Sequence, residues 1–90
     1  MAELDVEVVA ADHFVWSGAA RRVNAFTADG DIGVLPGHTP VIALLAAGRV
    51  EIEPTEGARV HISADGGFFS VENNRVTIVA DDAVIVDAAS

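Results

Sequence analysis

"VEIEPTEGARVHI", Val50 to Ile62, is the stretch that decides the fold class. Val50 and Ile52 alternate with Glu51 and Glu53, Pro54 to Gly57 supply turn residues, and the alternation resumes as Val60 and Ile62 against Arg59 and His61. A period of two sends one set of side chains to a core and the other to water, which is the pattern of a half-buried strand. Outward from here the same pattern recurs: Leu4, Val6 and Val8 against Asp5 and Glu7, then Val76 and Ile78 against Arg75 and Thr77. No apolar 3.6-residue repeat persists for three turns. Turn signals separate the runs at Asp29-Gly30, Pro36-Gly37, Gly66-Gly67 and Asn73-Asn74. Many short strands at this spacing predict an all-β sandwich or barrel whose core is built on the apolar residues of these alternating runs. Asn73-Asn74 suits a two-residue hairpin, because Asn tolerates positive φ. Gly66-Gly67 lacks the strand-to-helix setting of a phosphate cradle and is read as a bulge or a close backbone approach.

Ninety residues without an internal repeat make one domain, residues 1–90. With no cysteine, packing alone must hold it together. Fourteen acids face five arginines, there is no lysine, and the formal charge is −9, so nucleic acid is disfavoured as a partner. Hydrophobic residues nevertheless make up 51% of the chain, and in so small a domain part of them must lie outside as a partner face. The longest apolar run, Val41 to Ala47, is far too short to cross a bilayer, and no basic-then-apolar leader opens the chain. A soluble chain is expected, with any membrane association indirect.

Three segments break the in/out alternation. Phe14 to Trp16, Val41 to Ala47 and Ala83 to Val86 are apolar at neighbouring positions, hence on both faces of a strand. One face goes to the core, and the other is expected to meet a protein partner, unless these segments are sandwich edges tucked under loops. Of the adjacent Phe68 and Phe69, only one can face the core, which leaves the other as a candidate contact. His13, His38 and His61 share no short ligand spacing, so no metal site is expected. Asp81-Asp82 reads as a turn or strand end, since adjacent strand residues point to opposite faces. No serine has a His and an Asp arranged to activate it, and no catalytic residue or cofactor site is expected.

"SGAARRVNAFTADGDIGVLPGHTPVIALLAAGRVEI", Ser17 to Ile52, closely resembles the N-terminal domain of the epsilon subunit of bacterial F-type ATP synthase, and "VHISADGGFFSVENNRVTIVAD", Val60 to Asp81, continues the match. The resemblance implies a β-sandwich of about ten strands in two packed, mostly antiparallel sheets. It implies a non-catalytic rotor subunit at the foot of the central stalk, coupling proton-driven rotation to ATP synthesis. The partners it implies are the gamma subunit and the c-ring, with membrane contact only through the ring, on the cytoplasmic face of a bacterial cell membrane. The loop bearing Asp29, Gly30, Asp31, Gly33, Pro36, Gly37, His38 and Pro40 would face the ring. Phe14, Trp16, Val41, Ile42 and Leu44 are the candidates for the gamma-facing surface. In that loop the prolines fix φ, and Gly33 and Gly37 are expected to permit tight turns, so little ordering entropy is lost on docking. Asp29 and Asp31 would meet the basic residue of the family's ring loops, and His38 would be an interface residue or simply bonded within its loop.

Family members usually continue into a two-helix hairpin, whereas this sequence stops at Ser90. Inhibition of hydrolysis by the hairpin is therefore not carried over from the resemblance, and ATP binding is not expected. The rival readings are a free-standing carbohydrate-type binding sandwich, which would display a row of exposed aromatics, and a small metal-dependent β-barrel enzyme.

Overall fold

The computed structural model describes residues 3–27 and 30–87. Its strands are β1 (Leu4–Ala10), β2 (Phe14–Thr27), β3 (Gly30–Val34), β4 (Val41–Pro54), β5 (Val60–Asp65), β6 (Phe68–Glu72), β7 (Arg75–Ala80) and β8 (Asp82–Asp87). Two of them, β2 and β4, run for 14 residues and serve two layers each. The first layer runs β2-β1-β7-β6-β4, using Phe14–Ala20 of β2 and Val41–Leu44 of β4. The second runs β3-β2-β4-β5-β8, using the later halves of the same two strands. Counted by layer, these eight strands make the ten segments that the resemblance implies. Among the described residues only the β1–β7 pairing is parallel.

The corners have local causes. Along β2, Ala20 pairs with Pro54 and Arg22 with Glu53, so Arg21 is an extra residue in the β2–β4 ladder. Such a bulge bends and twists its strand, and here it carries β2 from one layer to the other. Along β4 the break falls between Leu45, opposite Thr27, and Val50, opposite Ala25. Gly67 tightens the crossing from β5 to β6. Its φ is 102°, and a Cβ there would overlap the Val79 carbonyl oxygen and lie 2.6 Å from Ala80 Cα. Its own carbonyl oxygen accepts a hydrogen bond from Leu45 N–H at 3.0 Å. The close backbone approach expected of the glycine pair is present.

The two layers enclose one core. Leu4, Val6 and Val8, Val50 and Ile52, Val60 and Ile62, and Val76 and Ile78 are all buried. Phe69 is the largest fully buried side chain, while its neighbour Phe68 lies 41% exposed. Asn73 and Asn74 close the β6–β7 hairpin at φ 52° and 63°, as expected of a turn that requires positive φ at both positions. Asp81 and Asp82 fall where β7 gives way to β8. Among the described residues no helix is long and apolar enough to cross a membrane.

Candidate functional site

Strand register builds a surface that no single strand shows. Partners in a ladder share a face, so the pairs Phe14–Val9, Val9–Val79, Val79–Phe68 and Phe68–Leu44 form one apolar row across all five strands of the first layer. Four interstrand spacings make that row about 19 Å long. Two residues along, the row becomes Ser17, Glu7, Thr77, Ser70 and Ile42. Two further on, it becomes Ala19, Asp5, Arg75 and Glu72. One face is thus apolar at one end and charged at the other. Ile42 and Leu44 are the most exposed large apolar side chains on it, at 77% and 68%. Arg75 and Asp5 form an exposed ion pair at 3.8 Å at the charged end.

The structure separates the sequence candidates for the gamma-facing surface. Phe14, Ile42 and Leu44 share the outward face. Trp16 pairs with Val8 and Val41 with Val71, both core residues, so these two pack half-buried against the core from the inner side. The bulge between Val8 and Val9 is the reason that Phe14 and Trp16 diverge. Val9, Val79 and Phe68 complete the row. Val9 and Val79 each occupy the outward parity of a strand that is otherwise polar at that parity, a break in alternation visible in the sequence. In the second layer Ala83 is buried, while Val84, Ile85 and Val86 are exposed on the edge strand β8.

The ring-facing candidates also divide. Gly30, Asp31 and Gly33 belong to strand β3, paired with Thr27, Phe26 and Asn24. Gly33 therefore sits opposite Asn24 in a ladder and makes no turn, correcting that expectation: the β2–β3 pairing extends through Val34 and leaves the chain extended there. Asp29 lies outside the described residues. The loop proper is Leu35 to Pro40. His38 N–H donates to the Leu35 carbonyl at 3.0 Å, with Pro36 second and Gly37 third at φ 89°, the arrangement of a type II turn. His38 Nδ1 donates to the Thr39 carbonyl at 2.6 Å, the intraloop bond that was the plainer reading of this residue. Gly37 N–H donates to Asn74 Oδ1 at 2.7 Å, which seats the loop beside the β6–β7 turn, at the charged end of the face.

Elsewhere chemistry is sparse. His61 Nε2 and Glu51 Oε2 lie 2.7 Å apart across the β4–β5 pair. His13 bonds Asp12 Oδ1 through Nδ1 at 2.7 Å and the Ala83 carbonyl through Nε2 at 3.2 Å. The hydrogen bond to Asp12 and then that to Ala83 raise the His13 pKa above its ordinary 6.5, and the same contact lowers that of Asp12. Among the described residues no three His, Cys, Asp or Glu side chains gather as metal ligands, and no buried side-chain polar atom lacks a partner. A shallow groove on the second layer is lined by Asn24, Phe26, Arg49, Ser63 and Asp82, whose polar side chains are half-buried or exposed.

Residues 3–86 match the family described as "ATP synthase, Delta/Epsilon chain, beta-sandwich domain". The chain is 51% identical over 90 residues to the ATP synthase epsilon chain of Micrococcus luteus, covering all of this chain and 99% of that one. It is 46% identical over 86 residues to the epsilon chain of Streptomyces griseus, covering 96% of this chain and 69% of the relative. Among solved structures it superposes on a chain of the Euglena gracilis mitochondrial ATP synthase, in an assembly of OSCP, F1 and c-ring, with a TM-score of 0.87 and 27% identity. That likeness covers 97% of this chain and 57% of the other. A chain of the Tetrahymena thermophila mitochondrial ATP synthase central stalk and c-ring shares the fold, with a TM-score of 0.75 at 17% identity.

Proposed function

Because the chain belongs to the ATP synthase delta/epsilon chain family, as its β-sandwich domain, we propose that it is a non-catalytic rotor subunit of the central stalk of an F-type ATP synthase. It packs on the gamma subunit and the c-ring and couples ion-driven rotation to ATP synthesis. Its place is peripheral, on the membrane-bound complex at the cytoplasmic face of a bacterial membrane, and its contact with the membrane runs through the ring.

The observation that carries this reading is the apolar row of Phe14, Val9, Val79, Phe68 and Leu44 with Ile42 beside it, assigned here to gamma. Fully burying a Leu, Ile or Phe side chain is worth roughly 1.5–3 kcal/mol, so a few such residues supply a stable docking face. The Leu35–Pro40 loop, at the other end of the same layer, is assigned to the ring. A rotor contact transmits force only if it does not yield, and a turn closed by Pro36, Gly37 and the Leu35–His38 bond is already ordered before it docks. The charge of −9 favours basic partner loops and steers assembly, with Asp31 as a rim contribution worth about 0–1 kcal/mol.

The test is capture by a gamma subunit, with Ile42→Glu and Leu44→Glu made singly. Both side chains are mainly exposed, so folding should change by less than about 0.5 kcal/mol. Gamma affinity should fall on the order of 100-fold, because a carboxylate would be desolvated without a partner. Full gamma binding by both folded variants would remove this face from the stalk interface.

A further inference from the structure

Asn74 makes three structural contributions at once. With φ at 63° it closes the turn between β6 and β7. Its carbonyl oxygen accepts a hydrogen bond from Asp5 N–H at 2.8 Å, which ties the turn to the start of β1. Its side-chain Oδ1 accepts from Gly37 N–H at 2.7 Å, reaching 37 residues back along the chain. In a type II turn the first residue's carbonyl and the fourth residue's N–H bond each other, and the second residue here is a proline without an N–H. Gly37 N–H is therefore the donor at the turn's centre that the turn itself does not use.

We infer that Asn74 is the positioning residue of the Leu35–Pro40 loop, fastening it to the strands that carry the apolar row. β6 and β7, the strands that Asn74 joins, contribute Phe68 and Val79, and β1, which it bonds through Asp5, contributes Val9. A load on the loop is passed through Asn74 into these strands instead of being lost in bending the loop. The residue type fits this requirement. Positive φ is tolerated by Gly, Asn and Asp, but Gly carries no acceptor. A turn that only had to close could use Gly at this position; the acceptor serves the loop.

The inference rests on the reading of the loop as ring-facing, and the experiment keeps the two apart. Asn74→Gly retains the turn and removes the acceptor, Asn74→Asp retains both, and Pro36→Ala loosens the loop without touching Asn74. Amide exchange of the full chain should show Gly37 exchanging about tenfold faster in Asn74→Gly and near the unmodified rate in Asn74→Asp. In membranes carrying the assembled complex, protons pumped per ATP hydrolysed should fall for Asn74→Gly and recover in Asn74→Asp, with gamma binding equal in all. An unchanged Gly37 exchange rate in Asn74→Gly overturns the inference. So does faster exchange with undiminished coupling when Pro36→Ala lowers coupling. Undiminished coupling in both Asn74→Gly and Pro36→Ala overturns the ring-facing reading, and the inference with it.

Discussion

On β7, Val79 and Arg75 point to the same side of one strand, about 13 Å apart, and their surroundings are opposite. Val79 stands in a row with Val9 and Phe68, while Arg75 stands between Asp5 and Glu72. The same five strands therefore end in an apolar surface on one side and a charged, loop-bearing surface on the other. The two ends are also fastened differently. At the charged end a neutral amide, Asn74, holds the loop. At the apolar end His13, next to Phe14, bridges Asp12 and the Ala83 carbonyl, and so joins the β1–β2 turn to β8. The lesson is that an outward-facing strand residue has no fixed meaning: its neighbours across the ladder decide whether it is solvated or awaits a partner.

The largest effect that would sharpen this contrast separates partner surface from core. Phe69→Ala should cost about 3–5 kcal/mol of stability, because its ring is fully buried between the layers. Phe68→Ala, one residue away in the apolar row, should cost less than about 1 kcal/mol in stability and show its effect in gamma binding instead. Urea denaturation of both variants checks this, and comparable losses of stability would make the row part of the core. Smaller is the effect of Pro36→Ala at the other end. It frees φ in a turn whose Leu35–His38 bond remains, so unfolding free energy should drop by about 0.4–1 kcal/mol. Coupling in membranes should drop more than that figure suggests, and gamma binding should stay level. Loss of gamma binding in Pro36→Ala would abolish the division between the two ends.

The smallest effect concerns the two fastenings. His13 makes both of its bonds only with both ring nitrogens protonated, and its pKa stands above 6.5 because of Asp12 first and Ala83 second. A raised pKa means that the stabilisation is complete below 6.5 and fades as pH rises through the higher folded value. Asp12, lowered below 3.8, sets the acid limit of the same contact, and Asp82 adds to the field at His13. The advantage in melting temperature over His13→Ala should shrink between pH 5.5 and pH 8.5, by a small amount because both groups are exposed. The advantage over Asn74→Gly should not change over that range. A pH-independent difference for His13 would leave its fastening without a protonated imidazole.

Much of the fold was legible in local residue order. The alternation of Leu4, Val6 and Val8, or of Val60 and Ile62, is enough to assign strand and core face, because the two-residue period is a property of the backbone itself. Asn73-Asn74, Gly66-Gly67 and Pro36-Gly37 were legible for the same reason, since φ is a local choice with a local cost. The division of Phe68 from Phe69 followed from adjacency alone. Local residue order alone therefore sets the all-β class, the core face of the alternating strands and the turns at Pro36-Gly37, Pro54 to Gly57 and Asn73-Asn74. Tertiary structure decided the rest. It assigned Gly33 to a ladder and Trp16 and Val41 to the inner side, because pairing partners and bulges set those faces. It aligned Phe14, Val9, Val79, Phe68 and Leu44 from five strands, and it brought Asn74 to Gly37 across 37 residues. Register and side-chain hydrogen bonds between distant segments depend on how whole layers meet, and no local pattern encodes that meeting.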